Sequence, residues 1–142
     1  MNPILRNILG FIAGLVVGMA ANMFFINISG KVIALPEGVD PNNYESLKAS
    51  IANGDFGFKH YIMPFIAHAS QALLGAFICT KIAASFEKGF SLILGGIGLI
   101  GGIAAAYMLG TPPIATGIDL LFAYIPMAWI GWKLGMRGKN KA

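Results

Sequence analysis

Four long apolar runs, separated by two short breaks and one long polar connection, organise this sequence. They cover residues 4–28, 58–86, 90–109 and 114–136. At ~1.5 Å per helical residue each run reaches about 30 Å or more, the thickness of the hydrocarbon layer of a bilayer. The first is interrupted only by Arg6, Asn7, Asn22 and Asn27. It exceeds the apolar stretch of a secretory signal and is read as a retained helix. The second is the most polar, carrying Lys59, His60, His68, Gln71 and Lys81. The third has no charge and is rich in glycine, and the fourth contains Asp119, Pro126, Trp129 and Trp132 ahead of a basic tail.

The connections set the topology. Glu87, Lys88 and Gly89 form a tight link between the second and third runs, and Gly110, Thr111, Pro112 and Pro113 turn the chain from the third into the fourth. Breaks this short force the joined helices to run antiparallel. The long connection, residues 29–57, carries its own helix signal. Asp40-Pro41 starts it, Asn53-Gly54 stops it, and Tyr44, Leu47, Lys48 and Ile51 recur at helical spacing between them. The predicted fold is therefore an all-α membrane protein, one domain over residues 1–142. Four transmembrane helices form an antiparallel bundle, with a short amphipathic helix in the outer loop between spans one and two.

Composition supports this picture. Hydrophobic residues make up 56% and charged residues 11% of the chain, more apolar surface than a single domain of 142 residues can bury within itself. The net charge of +4 suggests no nucleic-acid partner, because the basic residues flank apolar runs and form no stripe interleaved with aromatics. They report orientation instead. Arg6, Lys81, Lys88, Lys133, Arg137, Lys139 and Lys141 share one side with Glu87, whereas Lys31, Lys48 and Lys59 share the other with Glu37, Asp40, Glu45, Asp55 and Asp119. The positive-inside rule then places both termini in the cytoplasm and the long loop outside. Cys79 is the single cysteine, which excludes an intramolecular disulfide and paired-cysteine chemistry; within an apolar run it reads as a packing residue.

Lipid supplies no hydrophobic force between helices, so small residues that let backbones approach do much of the packing. Gly10, Gly14 and Gly18 recur at intervals of four in span one. His68, Ala72 and Ala76 do so in span two, and Gly98, Gly102 and Ala106 in span three. Pro64 and Pro126 each remove a backbone hydrogen bond and are expected to kink spans two and four.

A few polar residues lie at a depth where they are costly. An ionised carboxylate at Asp119, inside the outer end of span four, must face the bundle, water or a cation, or reach back to the turn between Thr111 and Thr116. His68 lies about 15 Å along span two, near the bilayer midplane, on the face shared with Tyr61, Pro64, Ala72, Gly75 and Cys79. Its bland alternative is a neutral histidine bonded to a carbonyl or to Asn22. His60 belongs to the interface. Eight residues apart, the two histidines are separated by ~12 Å along a regular helix, too far to share one ion, and the other spans hold no histidine for a haem. No cofactor or metal is expected. Asn22, His60, His68, Gln71, Tyr107 and Asp119 all fall at one level, which predicts an outward-opening polar pocket roofed by the loop helix.

The segments Pro36-Glu37-Gly38-Val39-Asp40, Glu45-Ser46-Leu47-Lys48-Ala49-Ser50, Phe58-Lys59-His60, Pro64-Phe65-Ile66-Ala67-His68-Ala69 and Tyr124-Ile125-Pro126-Met127-Ala128-Trp129 together resemble a family of small four-span bacterial membrane proteins without an assigned activity. The resemblance covers nearly the whole chain. It implies the four-span fold and a bacterial inner membrane, and brings no substrate or catalytic residue. The paired cysteines of thiol oxidases and the span-one glutamate of small multidrug exporters are missing from the sequence.

Two functions from different classes follow. The leading expectation is an accessory or structural subunit that self-associates or joins a larger membrane complex through its glycine faces and outer helix. The alternative is binding or transport of a small molecule or ion through the outer pocket, with His68 and Asp119 as its polar contacts. Catalysis comes third: a His–Asp pair can serve as acid and base, but no nucleophile, metal set or phosphate loop accompanies it.

Overall fold

The computed structural model describes residues 2–139; Lys141, part of the basic tail, lies outside them. The described chain is helical throughout its ordered elements. Helix α1 spans Pro3–Val32, α2 Tyr44–Asn53, α3 Ile62–Ile82, α4 Glu87–Leu109, α5 Pro113–Phe122 and α6 Ile125–Met136, and a 3-10 turn, Phe58–Tyr61, leads into α3. Four segments are long and apolar enough to cross a membrane: Pro3–Val32, Phe58–Ile82, Glu87–Leu109 and Pro113–Met136. This is a multi-pass membrane protein with an all-α four-helix core.

Local chemistry explains the boundaries. The Asn2 side chain accepts from the Ile4 N–H and Pro3 opens α1, so the helix begins at the head of the apolar run and continues to Val32, past the expected end at residue 28. Helix α2 starts later than the Asp40-Pro41 signal. Asn43, whose side chain accepts from the Ser46 N–H, is the actual cap, while Asp40 and Asn42 form a turn ahead of it. Gly54 and Gly110 end α2 and α4 in the left-handed conformation, at φ of +81° and +68°, where a side chain would be strained.

The two prolines act differently. Pro64 lies in the first turn of α3, where its missing N–H costs little; span two opens as a 3-10 turn and continues as one unbroken α-helix. Pro126 breaks span four. It cannot donate to the Phe122 carbonyl, and the helix divides into α5 and α6 at Ala123 and Tyr124.

Helix α3 is the hub. It packs against α1 on one side and against α4 and α6 on the other, while α1 touches α4 only lightly. Sequential spans are antiparallel, but α3 and α6 lie side by side and run parallel. Their contact is built on Gly131 and Gly135: a Cβ on Gly135 would fall 2.6 Å from the Thr80 Cβ, and one on Gly131 would strike the Leu73 carbonyl. Helix α1 buries only Gly10, Gly14 and Gly18, and exposes Ile8, Ile12, Val16, Met19 and Met23 on its other faces. In water such a surface is untenable; in lipid it is the expected outer face of a span.

The bundle has two distinct ends. At one, the start of α1, the residue 83–86 link and the end of α6 are tied together. Arg6 donates to the Ile82 carbonyl at 3.1 Å, Asn7 accepts from the Ala84 N–H at 2.8 Å, and Lys139 pairs with Glu87 at 2.7 Å. Lys139 also donates to the Thr80 and Ala83 carbonyls, capping the C-terminus of α3. At the other end α2 lies across the bundle, tethered where the Tyr44 hydroxyl donates to the Met108 carbonyl.

Candidate functional site

Beneath α2 the helices diverge around a cavity of about 320 Å³. Ile26 and Ser29 of α1, Leu47 and Ile51 of α2, Ala106 and Leu109 of α4 and Thr116 of α5 form much of its wall. The chemistry is concentrated on the remaining side, where His60, Tyr61, His68 and Asp119 also line the space.

The floor is a network of three side chains. His68 Nδ1 lies 2.9 Å from Oδ1 and 3.0 Å from Oδ2 of Asp119, joining α3 to α5. The Tyr124 hydroxyl donates to Asp119 Oδ2 at 3.1 Å. The His68 ring stacks on the Tyr124 ring with centroids 5.4 Å apart and planes 27° from parallel. With Asp119 ionised, Nδ1 must carry a hydrogen to donate, which fixes the neutral tautomer and leaves Nε2 as the free ring atom. The side chains of His68 and Asp119 retain 23% and 18% of their surface, so both are reachable from the cavity.

The fold explains why these groups meet. Pro126 ends the regular helix, and the break at Ala123 and Tyr124 turns the Tyr124 ring back toward Asp119, five residues earlier. Gly98 and Gly102 of α4 form the socket for that ring; a Cβ on Gly98 would fall 2.9 Å from Tyr124 Cδ1. Tyr124 is 1% exposed, and its hydroxyl would be an expensive buried donor without the carboxylate. The Gly98 and Gly102 pattern therefore serves this packing inside the chain.

The six residues predicted from sequence separate into groups. His68 and Asp119 are directly bonded, and Asp119 does not reach the Thr111–Thr116 turn, whose two hydroxyls bond each other at 2.6 Å. His60 lines the same cavity, its Nδ1 3.1 Å from the Gly57 carbonyl. Asn22 donates to Gln71 at 2.8 Å across the α1–α3 contact, and neither residue lines the cavity. Tyr107 is a correction: it is 90% exposed. At about 100° per residue it points well away from Gly102 and Ala106, the positions of α4 that face inward. Two residues were missed. Tyr124 was not among the six, although its position just ahead of Pro126 marked a break that could turn its ring. Tyr61 lines the cavity, and its buried hydroxyl has no hydrogen-bond partner among the described residues.

Below this floor the interior is closed. Ala72, Ala76, Cys79 and Thr80 of α3 are buried. Thr80 and Ser91 satisfy each other at 3.0 Å, with Ser91 also donating to the Ala76 carbonyl. Among the described residues no group of three or more metal-ligating side chains occurs. The site is thus a blind, mainly apolar pocket with a hydrogen-bonded acid–base pair at its base. Comparison with family models, with curated proteins and with solved structures finds no match for this chain.

Proposed function

We propose that this protein binds a small, predominantly apolar molecule in the cavity between α2 and the His68–Asp119 pair. The observation that carries the reading is the joining of a mainly apolar cavity to one polar anchor, the usual composition of a small-molecule site. The packed layer under His68 supports binding in preference to passage through a single copy.

In this reading the chain sits in a bacterial inner membrane with both termini in the cytoplasm, and the cavity occupies the outer half. Arg6, Lys81, Lys88, Lys133 and Arg137 then mark the cytoplasmic interface, where Lys88 and Lys133 lie over the rings of Trp132 and Trp129 at 5.4 Å and 3.8 Å. The accessory-subunit reading has less support, because the glycine faces on which it rested are covered by the chain's own helices.

The test is occlusion. Ala106→Phe fills the cavity from the α4 side without touching the His68–Asp119 pair. Thermal unfolding of purified wild type against a panel of small apolar and amphiphilic molecules should reveal stabilising ligands, and A106F should lose those shifts. Equal shifts in both proteins would defeat the proposal.

A further inference from the structure

Resting on this binding role, the charge balance of the cavity indicates what class of molecule enters. Asp119 is the one carboxylate among the residues that line it, and no lysine or arginine among the described residues does so. The titratable groups that face the pair are His60 and Tyr61 from the 3-10 turn and Tyr124 from the α5–α6 junction; α1, α2 and α4 contribute none to the lining. Neither tyrosine carries positive charge, and His60, which lines the same cavity, has its Nδ1 3.1 Å from the Gly57 carbonyl and no bond to Asp119. Of the described side chains bonded to Asp119, His68 and Tyr124, only His68 can bring it positive charge, through a second proton.

With Asp119 ionised, Nδ1, 2.9 Å from its carboxylate, is the donor, so that second proton sits on Nε2. An ionised carboxylate with no cation is costly in an apolar cavity, and a proton on Nε2 is one way to balance it. A ligand cation seated against Asp119 provides the same balance. Both together leave two positive charges beside one negative, in surroundings that screen them poorly. Phe56, Tyr61 and Phe65 line the cavity, and aromatic rings attract a cation, whereas an anion would meet Asp119 directly. We propose that the cavity takes a lipophilic organic cation and that this cation and the Nε2 proton of His68 compete for Asp119. When the cation binds, the proton leaves to water; when His68 is reprotonated, the cation is weakened by the same factor.

Calorimetry on the purified full chain in detergent tests this with two probes of equal shape. Benzyltrimethylammonium has a permanent charge and no proton of its own, and neopentylbenzene is its neutral isostere. The ammonium should bind more tightly as pH rises, with release of up to ~1 proton per ion at the acidic end of the series, as measured in buffers of different ionisation heat. The isostere should bind with no pH dependence. Asp119→Asn should lower the ratio of ammonium to isostere affinity by about tenfold or more, with a cooperative thermal transition showing that the variant is folded. His68→Gln should make the ratio of ammonium to isostere affinity independent of pH. Equal binding of both probes without proton release, or D119N indifferent to charge, overturns the exchange and leaves the binding role intact. If neither probe binds at any pH, and A106F leaves every ligand shift unchanged, both readings fall.

Discussion

Gly14 and Gly75 meet backbone to backbone: a Cβ on Gly14 would fall 2.5 Å from the Gly75 carbonyl oxygen, and one on Gly75 would fall 2.9 Å from the Gly14 carbonyl oxygen. The contact is reciprocal, and it sets the distance between α1 and the hub helix. No rotamer change relieves such an overlap, because the obstructing atoms are main chain.

Gly14→Leu is therefore expected to pry α1 from α3, at a cost of about 1–3 kcal/mol or more. Gly96→Leu is the control, since a Cβ there meets nothing within 4 Å. It should be neutral or slightly stabilising, because leucine favours helix over glycine by roughly 1 kcal/mol. Thermal unfolding in one detergent compares the two, and equal loss in both would refute this account of the interface.

His68 and Asp119 join α3 to a helix with no buried residue of its own, so the pair is expected to hold α5 in place. His68→Ala and Asp119→Ala, measured singly and together, should show a coupling of about 0.5–3 kcal/mol. Additive effects would mean that the two side chains are near each other without contributing to the docking of α5. This measurement needs no ligand and is independent of the binding proposal.

At the opposite end Lys139 replaces the missing partners of the α3 carbonyls and pairs with Glu87. Lys139→Met keeps the apolar stem and removes the donors, and should destabilise the fold by roughly 1–3 kcal/mol. Glu87→Gln keeps a hydrogen-bond acceptor and should cost less. An ordering of the two variants opposite to this, by denaturation midpoint, would locate the stabilisation in the ion pair instead of the cap.

The sequence made the spans legible because lipid imposes a coarse requirement, an apolar run of sufficient length, which needs no knowledge of partners. The loop helix was legible for a similarly local reason, its start and stop residues. The site was harder. His68 and Asp119 were found by cost, since an ionisable group at depth needs a partner. Tyr124 was not, because a tyrosine is tolerable at many depths and only the break before Pro126 turns it toward Asp119. Tyr107 was placed by level alone, and azimuth decides which side of α4 faces the cavity. The Gly131 and Gly135 pair went unused although it has the same spacing as the others. The parallel α3–α6 contact it supports is a long-range pairing that antiparallel neighbours in sequence do not reveal.

Orientation is open to a direct measurement. With the buried Cys79 replaced by serine, single cysteines at Asn42 and Asn140 should react differently with an impermeant reagent applied to intact cells. Labelling is expected at Asn42, beside the exposed start of α2, and at Asn140 only after the membrane is opened. The reverse pattern would invert the topology and put the cavity in the cytoplasmic half.

The roof of the cavity offers the last test. Helix α2 buries only Ser50 and Ile51 and is tied to α4 through the Tyr44 hydroxyl and the Met108 carbonyl. Its ten residues are too few to be stable as an isolated helix, so the tether and the Ile51 contact keep it closed over the site. Tyr44→Phe removes one hydrogen bond and leaves the ring, which predicts faster amide exchange across Tyr44–Asn53 with α3 and α6 unchanged. Because α2 forms one wall, a looser roof should also speed both entry and departure of any bound molecule while leaving the His68–Asp119 pair untouched. Unchanged exchange in α2 would mean that its apolar contacts alone hold the roof down.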